Sequence, residues 1–405
     1  MDPSGSTQQK TTLPHAARRL TRVIATAATV ALVTLPSAFT VPTVRADQHG
    51  ESPPLCAPDV HFLGFSEALN KTTFGGFDVA ELSGLAYDPQ RDVYYAIADR
   101  AGPVQAHVFT LSLPLTGGVL GVPTILEVTV LQDAGGAPLT GANFDGEGVA
   151  LAPGGGLLIS SEGGSALGEQ PELRHFSGAG AHLAELPIPP RFLVGTNNLS
   201  LESLALSPAG QSLFTANERP LPAVEASPED GQTADLRNRI RLLRYEHRDD
   251  GGFVPAAQVY YTTEPERAPG DVGVVDLIAV SETTLLVLER GFVEGQGNTV
   301  RLFRVSLEGA PDVAQAPNLA APELVPLVKT LIFDLAGCPS EGATTLPGAT
   351  QPNALLDNFE GMALGPALPD GRRALLLISD DNAGATQVTR VIAVAVPEPG
   401  EAGSP

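Results

Sequence analysis

The sequence predicts an all-β fold, a β-propeller of five four-stranded blades, and three observations carry that prediction. A short pattern of acid, small or apolar residue, apolar residue and Ala recurs five times. Each copy is followed by a second apolar run that ends in charge. The strand missing from the last copy is found near the N-terminus, where it can close a ring.

The opening runs are SGLAYDP (83–89), EGVALAP (147–153), ESLALSP (202–208), DLIAVSE (276–282) and EGMALGP (360–366), with Ser83 in place of the acid in the first. The returning runs VYYAIADR, GLLISSE, SLFTANER, TLLVLER and ALLLISDD put Asp99, Glu162, Glu218, Glu289 and Asp380 at equivalent positions. Third and fourth strands follow: AHVFTLSL and TILEVTVL, ELRHFSG and HLAELPIP, IRLLRYEH and AAQVYYTT, TVRLFRVSL and LVPLVKTLIFDL. The fifth copy has only TRVIAVAV (389–396), and VHFLGFSEAL (60–69) supplies its outermost strand. Closure of this kind leaves no unpaired edge between first and last blades. A six-bladed alternative splits the long interval 276–360.

Composition agrees. The 405 residues are 43% hydrophobic, enough for a large core, and 43 Gly and 36 Pro punctuate short β-branched runs. The N-terminus reads differently: Arg18, Arg19 and Arg22 precede VIATAATVALVTLPSAF, and TVRA precedes Asp47. That is the order of a secretory signal, cut after Ala46, and a membrane anchor is the alternative. ARRLTRV matches a twin-arginine signal only in part, which leaves the export route open. The expected organisation is a signal peptide (1–46), a post-signal tail (47–59), the propeller (60–396) and a disordered C-terminal tail (397–405). Removal of five basic residues and one acid takes the net charge from −22 to −26. Such a surface repels nucleic acid and anionic lipid and attracts cations. The expected product is secreted or periplasmic, monomeric, and without a stable membrane span.

Cys56 and Cys338 both lie in the exported part, where a disulfide is permitted. Cys338 follows the fourth blade's outer strand and Cys56 precedes the closing strand. Outer strands of adjacent blades lie side by side, so a bond between them would fasten the closure. Two separate thiols are the alternative.

NFEGMALGPALPDGRRALLLISDDNAGATQ (358–387), the ESLALSP and TANERPL pair, and DGEGVALAP with SSEGG resemble the phytase-like domain family, called esterase-like activity of phytase. The resemblance covers about residues 60–395. It implies an exported β-propeller with a hydrolase name, kin to propeller phytases that use calcium and carboxylates on phosphate esters. The chain lacks the dense Lys and Arg cradle of those phytases, which argues against phytate itself. Fold kinship does not fix chemistry.

In a propeller the first strand of each blade lines the channel, so the repeated acids are expected to converge on one mouth. Clustered carboxylates need a compensating cation or proton, and an oxygen-rich cluster suits calcium. The candidate ligands are Glu147, Glu162, Glu202, Glu218, Glu360 and Asp380; DDNAGATQ (380–387) adds a loosely calcium-loop-like alternation of Asp380, Asn382 and Gly384. These acids capping strands or pairing with neighbouring Arg is the plainer reading. Glu147, Glu202 and Glu360 are the candidate catalytic residues, a rim glutamate serving as general base. Arg100, Arg219 and Arg290 each follow an acid and are the candidate binders of a phosphate or carboxylate, with inter-blade salt bridging as the alternative. A G-x-S-x-G elbow and an H-E-x-x-H pair are both absent. Two readings stay open: a metal-dependent hydrolase of a small phosphate or other ester, and a non-catalytic, calcium-stabilised propeller that binds carbohydrate or protein.

Overall fold

The computed structural model describes residues 54–100, 102–164, 169–194, 200–221, 238–264 and 272–398. The expected signal and its cleavage site, and residues 399–405 of the tail, lie outside the described residues.

The chain forms five sheets arranged as the repeat predicts. Two strands come first, β1 (Leu55–Ala57) and β2 (Val60–Ser66), then a small hairpin of β3 (Thr72–Phe74) and β4 (Phe77–Val79). Blade 1 holds β5 (Leu82–Asp88), β6 (Val93–Ala98), β7 (His107–Ser112) and, after a second hairpin of β8 (Leu115–Thr116) and β9 (Val119–Leu120), β10 (Thr124–Val130). Blade 2 holds β11 (Gly146–Leu151), β12 (Leu157–Ser161), β13 (Glu172–Phe176) and β14 (His182–Glu185). Blade 3 holds β15 (Ala205–Leu206), β16 (Ser212–Ala216), β17 (Arg239–His247) and β18 (Phe253–Thr262). Blade 4 holds β19 (Val272–Ala279), β20 (Thr284–Val293), β21 (Gly297–Ser306) and β22 (Lys329–Asp334). Blade 5 holds β23 (Asn358–Ala367), β24 (Arg373–Asp380) and β25 (Val391–Val396).

All blade pairings are antiparallel, and β2 completes blade 5 by pairing with β25, His61 opposite Ala395 and Ser66 opposite Val391. The closure therefore stands as the missing strand predicts, with one correction. The closing strand is not outermost: β1 pairs outside it, so blade 5 has five strands and the segment expected as a tail contributes one of them. Cys56 of β1 is disulfide-bonded to Cys338, at the end of the short 3-10 turn Leu335–Gly337 that follows β22.

The core lies between blades. Leu286, Leu288 and Leu302 of blade 4 pack with Phe359, Leu375 and Leu377 of blade 5, all essentially inaccessible to solvent. Each such side chain contributes roughly 1.5–3 kcal/mol by leaving water. The long interval 276–360 holds no sixth blade. Part of it, residues 307–328, runs along the outer edge of blade 3: Val313 N–H donates to Gln258 O (2.8 Å) and Leu327 N–H to Tyr260 O (2.8 Å). Arg241, 2% exposed, donates from Nη1 to Val313 O (2.8 Å). That segment covers an edge that would otherwise offer unpaired backbone groups.

Candidate functional site

A β-bulge sits at the start of every blade's first strand. Ser83 is the extra residue in blade 1 and Glu360 in blade 5, because the partners on either side of each are consecutive on the returning strand. In blade 2 the register shifts across Glu147 and Gly148, and in blade 3 between Leu201 and Ala205. A bulge turns its side chain out of the ladder and bends the strand, which is how a periodic sheet presents an acid at its end. In blades 1, 2 and 5 the glycine that follows lets neighbouring first strands approach. A Cβ at Gly148 would stand 2.5 Å from Leu204 N, and one at Gly361 2.7 Å from Ser83 O.

Blade 4 departs from this. Its extra residue is Val275, so Asp276 is paired in register with Leu288. A shift of one residue sends a side chain to the other face. Asp276 accordingly acts as a staple, accepting from Leu277 N–H (2.8 Å) and from Met362 N–H of blade 5 (2.7 Å). Glu289 is likewise withdrawn, accepting from Tyr261 Oη (2.5 Å), Glu264 N–H (2.9 Å) and Lys329 Nζ (2.6 Å).

The remaining acids form two arcs. On the arc from blade 1 to blade 3, Asp99, Asp145 and Glu147 each bring one carboxylate oxygen within 4.8 Å of the others. Glu147, Glu162 and Glu202 do the same, so Glu147 belongs to both groups. Ser83 Oγ donates to Glu147 Oε2 (2.6 Å), which gives the non-acidic first copy a function at the same mouth. Arg100 N–H donates to Asp145 Oδ1 (3.0 Å), and Glu162 accepts from Ser200 N–H of the next blade. Among the described residues, no Lys or Arg ion pair reaches any of these five carboxylates. Burial raises all five pKa values. Neighbouring charge adds to the rise for Asp99, beside Asp145, and for Glu147, beside Asp99, Glu202 and Glu162. Glu202 feels Glu162 and Glu218 in the same way, and Glu162 is pushed up to about 8 by burial and the charge of Glu218.

The arc from blade 3 to blade 5 is built differently. Arg290 forms an ion pair with Glu360 and lies 3.6 Å from Glu218 Oε1. Asn358 Nδ2 donates to Glu360 Oε1 (3.0 Å) and Asp380 Oδ2 (3.2 Å), and Arg219 Nε stands 3.4 Å from Glu218. Burial alone would lower the Arg290 guanidinium, but Glu360, Glu218 and Glu202 outweigh it and hold it above its usual value.

At the ring closure the protein again supplies its own cation. Lys71 pairs with the fully buried Asp381 and donates to Gly384 O (2.7 Å), while Asp381 Oδ1 accepts from Glu81 N–H (3.1 Å). Asp380 Oδ1 accepts from Asn382 N–H (2.6 Å). The calcium-loop-like stretch 380–387 is thus folded on an ammonium group and its own backbone. Arg100 pairs with Glu81 and donates to Asp78 O (2.7 Å).

Of the six acids read as one ligand set, the structure brings Glu147, Glu162 and Glu202 together and ties Glu218 and Glu360 to Arg290. Asp99 was legible as a repeat position and Asp145 was not. Its signal is the residue two before the acid, which is polar in four copies: Glu81, Asp145, Ser200 and Asn358.

A family model described as "Phytase-like: Esterase-like activity of phytase" matches residues 77–383. No curated protein matches the chain. Solved structures similar to it include the periplasmic gluconolactonase PpgL of Pseudomonas aeruginosa (15% identity over 79% of this chain and 87% of that one, TM-score 0.32). A putative glycoside hydrolase from Bacteroides ovatus is 10% identical over 78% of this chain and 86% of that one, TM-score 0.40. A protein of unknown function from Dyadobacter fermentans is 11% identical over 83% and 87%, TM-score 0.33. Likenesses this distant say nothing about individual residues of the mouth.

Proposed function

The chain belongs to the phytase-like family, and from that premise we propose that it is an exported, monomeric, calcium-dependent hydrolase of phosphate or other esters whose chemistry lies on the arc from blade 1 to blade 3. One observation carries the reading: five carboxylates, Asp99 half-buried and the other four buried, stand together there with no ion pair among the described residues to balance them. Such a group holds protons or a cation at neutral pH. The donors are all oxygen, with no His or Cys among them, which fits a hard cation of loose geometry. Asp99, Asp145 and Glu147 on one side, and Glu147, Glu162 and Glu202 on the other, would hold it. Bound calcium supplies electrostatic stabilisation of a phosphoryl or acyl oxygen.

Glu202, 7% exposed, is the residue assigned to accept a proton from attacking water. Ser83 holds Glu147 through its hydroxyl, and Glu360 serves through its pair with Arg290 rather than as a second base. The three arginines proposed as substrate binders all stand beside carboxylates, so recognition of an anionic ester through them requires those pairs to exchange. The disulfide suits an oxidising compartment, and this supports export.

A second reading has its own support. Glu162 and Asp276 each accept a backbone N–H of the next blade, which is a structural use of the repeated acids, and Asp381, next to the repeat position Asp380, does the same. The two separate on one experiment: turnover of p-nitrophenyl phosphate and p-nitrophenyl acetate by the disulfide-bonded chain, with calcium and after chelation. The hydrolase reading expects turnover that chelation abolishes without unfolding and that Glu202→Gln removes. Calcium binding with no turnover of any ester leaves the structural reading standing.

A further inference from the structure

The five blade junctions present the same repeat positions and differ in the source of positive charge. Junction 1–2 offers Asp99, Asp145 and Glu147; junction 2–3 offers Glu162, Ser200 and Glu202 at the same three positions. Ser200 Oγ is fully buried and has no hydrogen-bond partner, an oxygen left over beside the Glu162 that its own N–H contacts. Junctions 3–4 and 4–5 hold Glu218, Glu360 and Asn358, and there Arg290 supplies the charge. Junction 5–1 holds Asp381 and Glu81, with Lys71 and Arg100. Three junctions therefore hold an ion-paired side-chain cation, and two hold no ion pair to Lys or Arg among the described residues, although the charge of Arg290 reaches Glu202 from the next junction.

We infer that Arg290 is a resident counter-cation that determines how many metal ions the mouth accepts. This rests on the reading of the arc from blade 1 to blade 3 as a cation site. A guanidinium keeps its charge at any pH the protein meets, so the position between Glu218 and Glu360 is closed to a divalent ion by occupancy and by like-charge repulsion. The shift of the blade 4 bulge is what permits this. With Asp276 turned to Met362 and Glu289 to Lys329, blade 4 brings no carboxylate to the mouth, and Arg290 is its contribution instead. Arg290 is a specificity-determining residue in this sense, acting on the number and placement of cations. Its removal would leave Glu218, Glu360 and Asp380, the last two bridged by the Asn358 amide NH2, as an oxygen-rich group of the kind that binds calcium.

The test is a calcium titration by isothermal calorimetry on the full disulfide-bonded chain stripped of metal. Arg290→Met is expected to bind about one equivalent more than the wild-type chain, and Arg290→Lys to bind the wild-type number, since a cation remains. An unchanged number in a folded Arg290→Met chain overturns the inference. Should Arg290→Met fail to fold, Glu218→Gln and Glu360→Gln in the otherwise native chain decide: both are expected to keep the wild-type number, and loss of an equivalent in either overturns it. A wild-type chain that takes up no calcium removes the proposed function. In that case a gained site in Arg290→Met still supports the role of Arg290, and no gain rejects it.

Discussion

The two arcs of the channel mouth are made from one repeat and differ in how their carboxylates are balanced. From blade 1 to blade 3, Asp99, Asp145, Glu147, Glu162 and Glu202 form no ion pair with a Lys or Arg among the described residues; from blade 3 to blade 5, Glu218 and Glu360 share Arg290. The cause is local. Where the bulge falls on the repeat's acid, or on Ser83 in its place, that side chain meets the neighbouring acids; where it falls on Val275, the next residue is re-paired and its carboxylate is used to staple blades. One residue of register thus separates a candidate metal ligand from a structural acid.

Removing one acid from each arc should have the largest and most unequal effects. Calcium at a hundredfold excess over its Kd is expected to stabilise the wild-type chain by about 2.7 kcal/mol, by mass action on the native state. Glu147→Gln, which strikes both candidate groups, should remove most of that gain. Glu360→Gln should leave it nearly intact, because its carboxylate is already spent on Arg290. Equal losses from the two variants, read as melting temperature with and without chelator, would erase the distinction between the arcs.

A smaller effect concerns pH. Glu162 has an ordinary value of 4.5 and is raised to about 8 in the folded chain, by burial and by Glu218. Above pH 4.5 the unfolded chain releases this proton while the folded chain keeps it, so the stability it contributes is complete below 4.5 and is lost as pH climbs towards 8. The metal-free protein should therefore melt a few degrees lower at pH 8 than at pH 5. Calcium should flatten the profile by taking the place of the proton. A chelated protein whose melting temperature rises across that range contradicts the assignment of Glu162 to an unpaired cluster.

Much of the fold was legible because a propeller is periodic: the Ala-centred runs, the returning strands and the missing fourth strand of the last copy are all visible as text. The added strand Leu55–Ala57 was not, since three residues before a turn carry no period. Nor was the segment 307–328, whose place is fixed by Arg241 and by backbone bonds to blade 3 rather than by a pattern of its own. The site was legible only to the level of the repeat. Aligning Asp276 with Glu147 and Glu360 follows from residue type, but a bulge that moves by one position leaves no mark in composition. Asp145 escaped for a related reason: its position is Glu, Ser and Asn in other copies, so only the polar character recurs.

The most direct measurement locates the cation. Crystals of the disulfide-bonded chain soaked in terbium, which takes calcium's oxygen ligands, give an anomalous signal at each bound ion. Peaks are expected among Glu147, Glu162 and Glu202 and among Asp99, Asp145 and Glu147, with none between Glu218 and Glu360 while Arg290 is present. A peak at the Arg290 pair, or no peak on the arc from blade 1 to blade 3, would contradict that expectation.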